Sequence, residues 1–290
     1  MTTRLAETDL ERLRYALGTH EVAADRSLFG PGSVTWRVNR EAVLLLGGGR
    51  ALLMQVAHPL VAAGVAGHSD YQRDPLGRLQ RTLELTLTIT FADAARAIRA
   101  VRTIERVHAR VHGTLGAEIS PFARGTVYDA NAPDLLFWVH ATLVETALLV
   151  YQRYVGSLSV RDRAQYYEES KITARLMGIP NHLIPARYAD FKLYMTGMLQ
   201  GPLLRVGSAA RAIAASILRP PLPRITRPAF WLTGAMTIAL LPPVLRQRYG
   251  LAGRRAPNIV AQSLAWITPP MLPWLPNALR LMPHARQARA

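Results

Sequence analysis

Asp134-Leu-Leu-Phe-Trp-Val-His140-Ala-Thr-Leu-Val-Glu-Thr-Ala-Leu-Leu-Val-Tyr151 is an apolar run with one histidine in its middle. At roughly 100° per residue, a helix here places His140 on one face with Leu136, Val144, Ala147 and Tyr151. Thr142, Glu145, Gln152 and Arg153 gather on the opposite face. The imidazole is therefore expected to point into a core. A buried imidazole is costly unless its nitrogens find partners, and one strong partner for the neutral ring is a metal. A hydrogen bond to a carbonyl is the plainer alternative.

Upstream, Asn131-Ala-Pro133-Asp134 reads as a helix start, with Asn131 as cap, proline early and an acid in the first turn. The same 3.6-residue period recurs along the chain, while β-branched alternation is scarce. It predicts helices at about 4–18, 38–55, 75–92, 93–113, 133–155, 160–177, 186–200, 202–217 and 228–240. The expected class is all-α. Residues 1–290 are read as a single domain, with a polar arm over 1–27 and a proline-broken part over 220–290 that packs on the core.

Half of the 290 residues are hydrophobic, enough for a large core, and there are no cysteines. That removes disulfides, thiolate ligation of iron, iron–sulfur clusters and cysteine nucleophiles. The polar first 27 residues lack the apolar segment of a secretory signal, which predicts an intracellular, cytoplasmic protein. The apolar stretches 43–67 and 230–241 are interrupted by Arg50, His58 and Pro59, or run into Pro242-Pro243, short of the ~20 residues a spanning helix needs. The net charge is +16, with Lys171 and Lys192 the only lysines. Such a charge attracts anionic partners, although the arginine bias also looks like a coding preference.

Several chemistries fail on spacing. His108 and His112 are four apart but lack the intervening Glu of a zincin helix. No Glu-x-x-His pair of a di-iron bundle occurs, and no Gly-x-Ser-x-Gly. Gly47-Gly48-Gly49-Arg50 lacks the ending of a phosphate-binding loop and fits close helix packing instead. Arg96, Arg99, Arg102, Arg106 and Arg110 form a basic stripe, read as a solvated face or an anionic-membrane contact. Without interleaved aromatics it does not suggest nucleic acid. The helix 75–92 reads as buried nearly all round, so Arg78 and Arg81 call for an anion or an acceptor; Glu84 is the nearest partner for Arg81. His58 precedes Pro59 in a second apolar setting and is either a ligand or a turn cap. Haem with a histidine ligand fits this inventory, its propionates met by arginine; a core histidine bonded to a carbonyl fits it too.

An ordered set of segments resembles the latex-clearing-protein (rubber oxygenase) family, which includes the endoplasmic-reticulum-bound oxygenase of mycophenolic acid biosynthesis. They are Gly48-Gly-Arg50-Ala-Leu-Leu-Met-Gln-Val-Ala-His58-Pro59, Arg78-x-x-Arg81-Thr82, His108-x-x-Val111-x-Gly113, Trp138-Val-His140-Ala-Thr-Leu and Gly178-Ile-Pro180. The resemblance implies an all-α fold enclosing haem b, with His140 as the iron ligand and His58 and Arg78 in contact with the cofactor. It implies a distal side built from Arg78, Arg81 and Thr82. Rubber oxygenases carry lysine where this chain has Arg81, and a guanidinium cannot deprotonate to bind iron as that lysine can. Nor is there a counterpart of the family's proposed glutamate base; His68, Asp70 and Asp74 stand upstream of Arg78. Together these imply an oxygenase acting with dioxygen on a small apolar, isoprenoid- or lipid-like substrate, including oxidative C=C cleavage, rather than on rubber. Two other readings stand beside it: a haem peroxidase-like enzyme, and a non-enzymatic basic protein that binds lipid or an anionic membrane peripherally.

Overall fold

The computed structural model describes residues 5–21, 23–68, 75–219 and 227–287, without the side chains at 75, 76, 78, 79 and 227–229. The described chain is helical apart from one short hairpin. In order it forms α1 (Glu7–Leu17), α2 (Val34–Asn39), a 3-10 turn (Ala42–Gly47), α3 (Gly48–Val56), α4 (Pro59–His68), α5 (Pro75–Phe91) and α6 (Ala94–His108). The antiparallel strands β1 (His112–Thr114) and β2 (Val127–Asp129) follow. The rest comprises α7 (Pro133–Tyr154), α8 (Val160–Leu176), α9 (Tyr188–Gln200), α10 (Ser208–Leu218), α11 (Arg227–Leu240), α12 (Pro243–Arg248), α13 (Arg255–Met271), α14 (Asn277–Arg280) and α15 (Pro283–Gln287).

Local chemistry explains several boundaries. Asp93 caps α6 by accepting from the Arg96 amide at 2.7 Å. Ser159 and Asp162 cap α8 reciprocally. The stretch read as one helix over 38–55 is instead α2, a 3-10 turn and α3, because the three glycines follow tertiary packing rather than helical period. Pro59 then starts α4, which the period missed and which bends 107° away from the segment ending in α3. The helix expected over 93–113 stops at His108, and the chain turns into β1. Gly113 faces Tyr128 in the hairpin, and a Cβ there would lie 2.7 Å from the Tyr128 hydroxyl. His108 and His112 thus do not share a helix. The helix expected from 202 begins at Ser208, after Pro202. Ala132, not Asn131, occupies the cap position of α7, while the Asn131 amide donates to Asp129 at 2.8 Å.

The N-terminal stretch read as an arm contains α1, which docks on α6 and α8 with Leu13 and Ala16 fully buried. Arg12 pairs with Glu105 and Arg102 with Asp9 across that seam. Residues of the basic stripe on α6 are therefore partly neutralised: Arg96 also pairs with Asp93 at 2.8 Å.

The main core gathers around α7. Among the described residues α7 is the one unbroken helix long and apolar enough to cross a membrane by length and composition; here it packs against the 3-10 turn, α3, α13 and α8. Gly47 makes the approach of the 3-10 turn to α7 feasible, and Gly49 that of α3 to α11. A Cβ on Gly47 would lie 2.6 Å from Thr146 Cγ2 and 2.8 Å from Val150 Cγ2. One on Gly49 would lie 2.0 Å from Thr237 Oγ1 on α11. Gly48, between them, faces open space. Beside these contacts Arg50 is 2% exposed: its Nε donates to the Leu240 carbonyl at 2.9 Å, and its guanidinium meets the Thr146 hydroxyl and the Glu145 carboxylate. Farther along, Glu41, likewise buried, takes two bonds from Arg280 at 2.9 and 3.0 Å and so ties α14 to the 3-10 turn.

At the α3–α4 corner His58 is 4% exposed, with its ring 5.2 Å from that of Phe122 and its Nδ1 unpartnered. Burial pushes its pKa down to about 4, against the opposing charge of Asp134.

Two outcomes follow from this packing. Gly49→Ala is expected to cost about 1–3 kcal/mol by overpacking against stiff Thr237, whereas Gly48→Ala, in helical backbone with open space, is neutral or stabilising by up to about 1 kcal/mol. Chemical denaturation checks both, and equal effects at the two glycines would contradict the packing. His58 stays neutral in the fold but takes a proton at about 6.5 when unfolded. Its contribution is therefore complete above pH 6.5 and is lost as pH falls toward 4. Replacing His58 with Gln should flatten the acid limb of the stability profile; an unchanged acid limb would count against its burial as a neutral ring.

Candidate functional site

His140 projects from the N-terminal half of α7 toward α8. Its ring is half-buried and its pKa is pushed down to about 4, chiefly by burial and opposed by a hydrogen bond with the Ser170 backbone. Because that contact favours the protonated ring, it is one in which the ring N–H donates, which makes the Ser170 carbonyl the acceptor. A neutral imidazole whose one nitrogen donates to a carbonyl keeps a lone pair on the other, and this pairing fixes the tautomer of histidine ligands generally. The reading of His140 as a buried neutral ring agrees with this placement, although the burial is partial.

The neighbours of His140 are mostly apolar or aromatic. The Phe137 ring lies 6.4 Å from that of His140 and 4.9 Å from that of Tyr194 on α9. Burial raises the pKa of the Tyr194 hydroxyl, and the charge of Asp134 adds to that rise. Asp134 also acts on His58, so His58 and Tyr194 both lie within reach of the first turn of α7. The end of α3 is fastened there: Trp138 Nε1 donates to the Gln55 carbonyl at 3.3 Å, and Gln55 Nε2 donates to Thr142 Oγ1 at 3.1 Å. Thr142 is fully buried, so the polar face expected for it is not solvent-facing; Gln55 supplies the partner that permits this.

The residues expected on the distal side lie on α5. Arg81 and Thr82 stand on an exposed side of α5, together with Glu84 and Thr86. Leu87, Ile89 and Phe91 are buried on that helix, which therefore has one wet face rather than burial all round. Glu84 pairs with His284 on α15 at 3.0 Å, because α15 packs across α5. The side chain of Arg78 lies outside the described residues, as do Asp70 and Asp74. His68 contacts the Tyr128 hydroxyl at 3.2 Å.

Among the described residues no group of three or more His, Asp and Glu could hold a bare metal ion. Ligation by a single histidine, as in haem proteins, requires no such group. A cleft of about 1100 Å³ lies elsewhere, between α10, α11 and α13, and does not include His140. Two features escaped the sequence reading. Ser170 orients His140 from α8, and Arg50–Glu145 anchors α7 on the turn after His140. The glycine run beside Arg50 was the one local signal for the second.

Neither the curated proteins nor the solved structures gave a match. One sequence-family model, described as ER-bound oxygenase mpaB/B'/Rubber oxygenase, catalytic domain, matches residues 36–269. That span runs from α2 into α13 and takes in His58, α5 and all of α7 and α8. The match covers most of the sequence, and the chain belongs to this oxygenase family.

Proposed function

We propose that this protein is a haem b-dependent oxygenase in which His140 holds the iron and a small apolar, isoprenoid- or lipid-like substrate is oxidised, with C=C cleavage as the reaction. The observation that carries the reading is the placement of His140: one histidine on the long apolar helix α7, beside Phe137 and against the Ser170 backbone of α8. The donor set fits haem, which a single histidine can hold: among the described residues no group of three or more His, Asp and Glu could hold a bare ion, and the chain has no thiolate. Membership of an oxygenase family supports the reaction class.

When bound, haem supplies the activation of dioxygen. The chain supplies the rest. Ser170 holds the His140 tautomer, and the interlock of Gln55, Trp138 and Thr142 keeps α7 from rotating. Phe137 and Tyr194 form an aromatic wall that excludes water beside His140. Arg78, Arg81 and Thr82 are proposed as the donors that stabilise negative charge developing on oxygen. A guanidinium offers N–H donors and no acceptor, so Arg81 acts as donor and never as ligand.

Purified protein, as isolated or after reconstitution, should show a Soret band that changes on dithionite reduction and that His140→Ala weakens or shifts. Protein that stays colourless after haem addition would overturn the reading. Arg81→Ala should lower turnover about 10²-fold or more while the Soret band persists. Arg81→Lys should instead alter the spectrum, since an amine can bind iron; a spectrum identical to that of the parent protein would remove Arg81 from the iron's surroundings.

A further inference from the structure

All nineteen acidic residues of this chain lie at or before Asp190. The following hundred residues carry twelve arginines and one lysine with no carboxylate side chain. A preference for arginine over lysine explains which cation is used but not the missing acids. The hundred-residue stretch covers nearly all of α9 and all of α10 to α15. Arg211, Arg219, Arg254 and Arg255 are exposed there and have no carboxylate partner among the described residues. They surround the cleft of about 1100 Å³, whose walls include Phe230 and Trp231.

The tryptophans divide in the same way. Trp36 and Trp138 are each 1% exposed, whereas Trp231, Trp266 and Trp274 of the C-terminal helices are 58%, 86% and 88% exposed. On α13 the buried stripe is Pro257, Ala261 and the partly buried Leu264, which pack toward α7 and α11. The outward side should be polar on a helix that faces water. Beside the exposed Asn258, Gln262 and Ser263 it carries Ile259, Trp266, Ile267 and Met271, all at least half exposed, and Trp274 follows directly. Exposed apolar residues clustered within a charged frame mark an interaction surface.

We propose that α13, with Trp274 and the arginines flanking it, docks this protein on the surface of an anionic phospholipid bilayer. Tryptophan is the residue type that settles at the membrane interface. An amphipathic helix with aromatic and aliphatic residues on one side and arginines around it lies in that plane rather than across it. Anionic headgroups supply the countercharge that the chain omits, at about 1 kcal/mol per arginine near the surface. Pairing with a second copy is disfavoured, because an isologous contact would set this acid-free surface against itself. The surface is distinct from the arginine stripe of α6, whose Arg96 and Arg102 already have carboxylate partners. It is also independent of haem.

Full-length protein should sediment with mixed phosphatidylcholine–phosphatidylglycerol vesicles at low salt, not with pure phosphatidylcholine, and should release at high salt. Bilayer contact should blue-shift its tryptophan fluorescence, and brominated lipids should quench it. The double variant Trp266→Ala/Trp274→Ala removes only exposed side chains; it should keep the wild-type circular dichroism and lose vesicle affinity about tenfold or more. Arg254→Glu/Arg255→Glu should do the same, and Arg99→Glu on α6 should not. Failure to bind anionic vesicles overturns the proposal, as does binding indifferent to the tryptophans. So does a stable dimer dispersed by the same tryptophan substitutions, or preferential binding to nucleic acid through this surface.

Discussion

Arg50 is the residue on which the core depends. Removing a guanidinium from water costs several kcal/mol, and the cost is offset only when its donors are met. Here the acceptors come from two other helices: the Leu240 carbonyl at the end of α11, and Thr146 with Glu145 on α7. Burial lowers the Arg50 pKa and Glu145 raises it, and the arginine keeps its charge. Each acceptor is in reach only because Gly47 and Gly49 let α7 and α11 approach; a methyl group at either glycine would overlap Thr146, Val150 or Thr237. The glycines and Arg50 are therefore one device. Small residues create the proximity, and the buried charge fixes its register.

That register is what gives His140 its surroundings. Glu145 and Thr146 lie within two turns of His140 on the same helix, so fixing one end of this stretch fixes the azimuth of the other. His58 and His140 show how little separates a structural histidine from a candidate ligand. Both rings are neutralised by burial, with pKa values of about 4. His58 is wedged against Phe122 with no partner at Nδ1. His140 has the Ser170 backbone to engage its ring and is less completely buried than His58. Orientation by a neighbouring carbonyl, more than burial, is the property that suits a ring to bind iron.

The strongly periodic helices were legible in the sequence: α5, α7, α8 and α11 lie within a residue or two of expectation. Legibility failed where the local pattern serves a distant contact. Gly47 to Gly49 look like helix or loop until Thr146 and Thr237 are set against them. The pairing of Arg50 with Glu145 spans 95 positions, and no helical spacing encodes it. The hairpin was missed because Gly113 answers to Tyr128, not to its own neighbours. On α5 the period located one apolar face correctly but did not report that the other face is wet. His140 was legible as an inward residue because a single polar ring interrupts a long apolar helix; Ser170 was not, since a backbone carbonyl leaves no mark on residue identity.

The charge shows how far composition alone can mislead. A net charge of +16 suggests a basic protein throughout, yet the acids are confined to the first 190 residues. There they are used: Glu105, Asp9, Asp93, Asp162, Glu145, Glu168 and Glu41 all hold cations in place within the fold. Among the C-terminal helices, by contrast, Arg280 reaches back to Glu41 while Arg254 and Arg255 face water beside unburied tryptophans. Net charge measures neither state. What distinguishes a structural cation from one available to a partner is whether the fold provides its carboxylate, and beyond Asp190 the sequence supplies no acidic side chain of its own. Among the described residues before that point, many cations are held by the fold's own carboxylates. The acid-free C-terminal third leaves Arg254 and Arg255, with Trp231, Trp266 and Trp274, facing water.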